Sequence, residues 1–325
     1  MKAILYSAAV FLLVANVCQA QGSGSSEASG VRKVAADTAK GFDYPYYLHV
    51  PDSLRHSADS RKLQTILVLP NNSGKANDDL GFHESDVQRR IKNNAQVADG
   101  LGVAILTPVF PRPGGDWKIY THALDRDSMT TDKKEYARFD LQLIAMIDDA
   151  REYLAKEGVR FDKKVFMLGF SASGMFVNRF TFLHPDRVKS AAVGSPGGWA
   201  IAPVGSYSGK SLPYPIGVGD LKSVAGKNLD LKKLRKVSMF FFLGDGDEND
   251  SVVFRDGYEQ EDEQLIFETF GKTPVERWDD SREIYREAGL RVEFKLYPNV
   301  KHTISKEMFD DILKFFRDSL QATSK

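Results

Sequence analysis

Short, largely apolar runs alternate along this chain with longer segments in which apolar residues recur every three to four positions. The runs Gln64 to Leu69 (QTILVL), Gly102 to Thr107 (GVAILT), Lys164 to Leu168 (KVFML), Lys189 to Gly194 (KSAAVG), Val237 to Leu243 (VSMFFFL) and Arg291 to Tyr297 (RVEFKLY) read as strands. Most are apolar enough to be covered on both faces, which is the habit of parallel sheets. Helical spacing predicts helices over Ser85 to Ala98, Asp132 to Glu157, Ala172 to Leu183, Pro274 to Glu287 and Ile304 to Leu320. Thr273-Pro274 supplies a capping hydroxyl and a proline suited to the first helical position, and His184-Pro185-Asp186 is a stop signal. Strands and helices in alternation predict an α/β fold with a mostly parallel central sheet flanked by helices. In such sheets ligands bind beyond the carboxyl ends of the strands, so polar residues just after a strand carry the most functional weight.

Composition narrows the picture. The 325 residues are 42% hydrophobic and 27% charged, enough to bury a substantial core. Lysine plus arginine number 44 and aspartate plus glutamate 44, a balance that predicts no nucleic acid partner. Residues 1–20 carry an early lysine, an apolar stretch from Ala3 to Val17 and the small-residue ending before Gln21, the three-part pattern of a secretory signal peptide cut after Ala20. The apolar stretch is shorter than the roughly 20 residues a membrane span needs, so no stable membrane insertion is expected after cleavage. Cys18 is the sole cysteine. A mature chain without it has no disulfide, thiolate nucleophile or cysteine metal site. Residues 21–31 read as a flexible Gly/Ser-rich leader, and 32–325 as one domain with long loop insertions at 108–131 and 195–236.

The stretch GFSASG, Gly169 to Gly174, follows a predicted strand and opens a predicted helix. A serine held on such a sharp turn stands exposed at the top of a sheet, provided that the residues two before and two after it are small. Ser171 satisfies this with Gly169 and Ser173, whereas Ser173 would place Met175 against the turn. Ser171 is therefore the candidate nucleophile. The bland alternative is an ordinary strand-to-helix turn with a capping serine.

A serine hydroxyl needs a base to take its proton and a carboxylate to orient that base. After the run ending at Leu243 come Asp245, Asp247, Glu248 and Asp250; after the run ending at Tyr297 comes His302. His49, His56 and His83 lie at or before the early strands, His122 in a long loop and His184 at a helix end, leaving His302 as the candidate base. The chain order serine, acid, histidine is that of the α/β-hydrolases. At these residues the chain resembles the α/β-hydrolase superfamily, most closely its secreted esterases of the dienelactone-hydrolase and polyhydroxybutyrate-depolymerase type, from about Gln64 to the C-terminus. In that family the acid commonly sits in a strand-end G-x-x-D, here Gly244-Asp245-Gly246-Asp247. The resemblance thus implies Asp247 as the acid, with Asp250 second and Asp245 third. It implies an α/β-hydrolase fold and a serine hydrolase whose substrate is a small-molecule or polymeric ester, with a peptidase or polyester depolymerase as the runner-up.

Two donors should receive the developing oxyanion. One is the N–H of Ala172; the other is an N–H of Asn72 or Asn71 in the loop after the first core strand, since Pro70 has none. The family usually has His-Gly where this chain has Pro70-Asn71. Candidate substrate contacts are Arg112, Trp117, Tyr120, His122 and Trp199 in the two long loops, although such side chains equally serve to pack loops onto the body. The chemistry calls for no metal and no organic cofactor. Asp245 to Asp256 superficially spaces its carboxylates like a calcium loop, but Asp250 stands where that loop wants glycine and a strand precedes it. A catalytically silent hydrolase fold used for binding is the reading from another class. Asn71-Asn72-Ser73 and Asn249-Asp250-Ser251 match the glycosylation pattern beside the candidate site, and neither is expected to carry a glycan.

Overall fold

A computed structural model of the chain describes residues 30–55 and 63–322. The expected signal peptide, nearly all of the leader, and His56 lie outside the described residues. The strands are β1 (Val31–Val34), β2 (Tyr46–His49), β3 (Ile66–Val68), β4 (Ala104–Pro108), β5 (Val165–Phe170), β6 (Val188–Gly194), β7 (Ser206–Tyr207), β8 (Lys210–Ser211), β9 (Ser238–Gly244) and β10 (Arg291–Tyr297). The helices are α1 (Asp52–Arg55), α2 (Leu80–Leu101), α3 (Arg126–Thr130), α4 (Phe139–Lys156), α5 (Ala172–Leu183), α6 (Leu221–Ala225), α7 (Leu231–Leu234), α8 (Ser251–Phe254), α9 (Gln260–Phe270), α10 (Glu276–Glu287) and α11 (Lys306–Gln321).

One eight-stranded sheet runs in the order β1-β2-β4-β3-β5-β6-β9-β10, and β7 and β8 form a separate hairpin. From β4 to β10 every pairing is parallel; β2 runs antiparallel to β4, and β1 to β2. Side chains alternate between two cores with the two-residue period of a strand. Met239, Phe241 and Leu243 of β9 join a core with α4, α5 and α10, while Phe240 and Phe242 join one with α2 and α11. Both faces are therefore covered by helices, which is why these strands are apolar throughout. Among the described residues, no helix is long and apolar enough to cross a membrane.

All six expected strands are present, and α5 has the predicted bounds. Four differences have physical causes. Helix α2 starts five residues early, because the Asp79 side chain accepts from Gly81 N–H and caps it, and it runs on to a left-handed Gly102. Helix α4 starts late, at Phe139, after Arg138 takes a left-handed φ of 54°. Strands β1 and β2 are not predicted because VRKV and YYLH carry charged or polar residues and form no apolar run. Helix α9 was hidden by its charge: its buried positions are only Asp262, Ile266 and Phe270, one narrow stripe.

Candidate active site

The carboxyl ends of β3, β5, β6, β9 and β10 emerge on one edge of the sheet, because all five strands are parallel. Ser171 sits at the end of β5, next to β3, where the strand order reverses direction; this is the crevice position of open α/β sheets. Its φ of 61° and ψ of −129° are strained for a residue bearing a side chain. The strain is imposed from both sides: Ser171 N–H donates to the Gly194 carbonyl at 3.0 Å, and Met175 N–H donates to the Ser171 carbonyl at 3.0 Å. Gly169 and Gly174 are obligatory here, since a Cβ at Gly169 would drive into the Ser173 carbonyl and one at Gly174 into the Gly194 carbonyl.

The two serines of the motif separate cleanly. Ser173 is fully buried; its hydroxyl accepts from Phe170 N–H at 3.0 Å and donates to the Phe170 carbonyl at 2.9 Å. It braces the turn. Ser171 is partly exposed.

The acid and base meet. Asp247, 3% exposed, places both carboxylate oxygens 2.9 Å from His302 Nδ1, which fixes the proton on that nitrogen and leaves Nε2 with a free lone pair. Two turns are laced to hold this pair: Asp245 N–H donates to the Tyr297 carbonyl and Gly246 N–H to the Val300 carbonyl, both at 3.0 Å, and Asn299 N–H donates to Asp245 Oδ1 at 2.7 Å. Burial works to raise the Asp247 pKa, but the hydrogen bonds from His302 and from Asn249 N–H outweigh it, and the net shift is downward. The His302 ring packs on Phe170, the residue before Ser171, with centroids 4.8 Å apart.

The other acids are engaged elsewhere. Asp250 is buried against Arg277, with contacts of 3.1 and 3.0 Å, and it caps α8 through Val252 N–H. Asp256 pairs with Arg112 at 3.3 Å. The three carboxylates of the calcium-like spacing, Asp245, Asp247 and Asp256, thus turn to three different partners, Asn299, His302 and Arg112. The remaining described histidines are also committed: His184 is buried against Asp140 at 2.8 Å, His49 faces Asp99 at 3.3 Å, and His83 and His122 form a buried edge-to-face pair.

The oxyanion side departs from expectation. Ala172 opens α5, so its N–H has no partner within the helix. The Asn72 N–H, however, donates to Asp86 Oδ2 at 3.3 Å. Asn71 is buried, and its amide donates to the Phe110 carbonyl at 2.8 Å and accepts from Phe110 N–H at 3.1 Å, which leaves no room for a glycan.

Of the five expected substrate contacts, four are buried and packed against the body. Arg112 is 7% exposed and stacks on Tyr120, with its guanidinium carbon 3.6 Å from the ring centroid. Tyr120 and Trp199 belong to an apolar cluster with Ala172 and Met175, and the Trp199 indole N–H donates to the Ile216 carbonyl at 2.8 Å. His122 donates to the Phe110 carbonyl; burial outweighs that bond and pushes its pKa down to about 3, so it is neutral. Trp117 alone is exposed. The sequence reading missed Phe170 and Asp86, which act through packing and through a helix face with no motif.

A scan against protein-family models and a search of curated proteins each returned no match. Solved structures similar in shape include poly(aspartic acid) hydrolase-1 from Sphingomonas sp. KT-1, with 17% identity and a TM-score of 0.58 over 88% of this chain and 98% of that one. A poly(3-hydroxybutyrate) depolymerase from Bordetella parapertussis has 16% identity and a TM-score of 0.54, over 89% of this chain and 91% of that one. An esterase from Thermogutta terrifontis has 12% identity and a TM-score of 0.50, over 92% and 96%. Strand order, the strained serine turn after β5 and these likenesses in shape agree on one conclusion: this chain has the α/β-hydrolase fold.

Proposed function

We infer that this protein is a serine hydrolase that cleaves carboxylic esters through an acyl-enzyme. The observation that carries the reading is the Asp247–His302 pair, with both carboxylate oxygens on Nδ1, on the sheet edge where Ser171 sits strained and partly exposed. Ser171 Oγ attacks the acyl carbonyl while His302 Nε2 takes its proton and then returns it to the leaving alcohol. A water molecule, activated by the same nitrogen, releases the acid and restores Ser171. Asp247 keeps the imidazole in the right tautomer and stabilises its protonated form. The Ala172 N–H and a donor from the Asn71–Asn72 loop receive the oxyanion. Esters rank ahead of amides because an alcohol leaving group demands less of the general acid. The sequence pattern of residues 1–20 supports export and removal of that segment.

The apolar side chains near the site favour a second reading, an ester polymer as substrate. Val253 and Phe254, on α8 just after the acid turn, are exposed, as is Trp117. The Lys118–Glu259 and Arg112–Asp256 ion pairs draw the Trp117 loop toward that segment. The experiment is hydrolysis of p-nitrophenyl esters of graded acyl length, the matching anilides and an aliphatic polyester film by the mature protein. Ester turnover that disappears in Ser171→Ala is the expected result; a folded wild-type protein that cleaves none of the three would refute the reading. Release of acid from the film decides for the polymer.

A further inference from the structure

The loop of Asn71 to Gly74 is held by side chains from three directions. Asn71 grips the Phe110 peptide, and the Ser73 hydroxyl meets His83 Nδ1 at 2.5 Å. The Asn72 peptide is clasped by α2 on both sides: its N–H donates to Asp86 Oδ2, and its carbonyl accepts from Arg90 Nη2, each at 3.3 Å. Asp86 is 5% exposed. A backbone N–H turned toward a buried carboxylate is a poor oxyanion donor, because the oxyanion it served would share that donor with another negative charge.

The Asn72 side chain reaches the serine turn instead. Its Oδ1 accepts from Gly74 N–H at 3.2 Å, which fixes the end of the amide that is nitrogen. Its Nδ2 lies 3.4 Å from the carbonyl of Phe170, the residue before Ser171. An amide nitrogen carries two hydrogens, and this long contact occupies one; the other has no partner among the described residues. The side chain is partly exposed, as Ser171 is. The geometry points to the Asn72 carboxamide as the second oxyanion donor, acting with the Ala172 N–H in place of the Asn72 N–H. This assignment rests on Ser171 being the nucleophile. Asp86 and Arg90 are then positioning residues that set the angle at which the Asn72 side chain leaves the loop.

The test is steady-state hydrolysis of a short p-nitrophenyl ester by wild type, Ser171→Ala, Asn72→Ala and Asn72→Asp, each checked by thermal melting. Asn72→Ala leaves every backbone N–H of the loop in place. Loss of a side-chain donor should lower kcat by about 10²–10³-fold with KM little changed. Asn72→Asp keeps the acceptor for Gly74 N–H and substitutes a carboxylate for the donor, so its loss should be at least as large; it carries the test if the alanine variant melts early. An active wild type, an inactive Ser171→Ala and a folded Asn72 variant within about threefold of wild-type kcat would overturn this assignment alone. A loss confined to KM or to melting temperature would make the amide a mere tie between two loops, and would overturn it too. No turnover by the wild type would remove the serine-hydrolase reading and this inference together.

Discussion

The acid and base turns after β9 and β10 differ sharply from the long loops at 108–131 and 195–236. In the two turns, backbone hydrogen bonds lace strand end to strand end, and they deliver Asp247 and His302 into contact. In the loops, the aromatic and charged side chains that suggested substrate contacts face inward in every case but Trp117: Arg112 onto Tyr120, and Trp199 onto Phe270 with centroids 4.1 Å apart. A strand end fixes a backbone position, and that position fixes what a side chain can reach. A long loop has to build its own core before it stays ordered, and its large side chains are what it builds with.

The sharpest way to break this contrast is inside the serine turn. Ser171→Ala should lower kcat by about 10⁴-fold or more. Ser173→Ala should keep substantial activity but unfold more easily by about 1–3 kcal/mol, because it removes the buried hydroxyl that accepts from Phe170 N–H and donates to its carbonyl. Ester turnover beside urea melts reads both. In the acid turn, Asp247→Asn should lower kcat by about 10⁴-fold with the fold kept. Asp250→Ala should leave the kcat of folded molecules near wild type while costing about 3–5 kcal/mol, since it strands the buried Arg277 guanidinium.

Away from the site, burial opposes ionisation of Asp140, but His184 and Arg138 override it and lower its pKa to about 2. A depressed carboxylate stabilises the fold above its unfolded pKa, near 4, and that contribution fades as pH falls through about 2. Urea unfolding between pH 5 and 2 should therefore lose about 2 kcal/mol from this group, and Asp140→Asn should flatten that part of the profile. The smallest kinetic effect belongs to the loops. Trp117→Ala should change kcat/KM on short esters by less than about threefold, whereas Trp199→Ala should destabilise the fold by about 3–5 kcal/mol. A large kinetic effect of Trp117→Ala would give that loop a direct part in binding.

Much of this was legible because periodicity and strand ends carry it. The six parallel core strands announce themselves as apolar runs, and Gly169, Ser171, Asp247 and His302 each sit at a fixed offset from one of them. Asp250 could be ranked below Asp247 but not excluded, since its partner Arg277 is 27 residues away and on another element. The engagement of the Asn72 N–H was equally hidden, because its partner Asp86 lies 14 residues away on another element, inside a predicted helix whose facing the sequence does not set. Pairings across distant elements decide which way a polar group faces, and one-dimensional patterns do not contain them.

That Ser171 is an activated nucleophile can be read directly by fluorophosphonate labelling of the purified protein followed by mass mapping of the adduct. One label is expected, on Ser171, abolished by Ser171→Ala and retained in Ser173→Ala. A label on Ser173, or folded protein that takes no label, would contradict it.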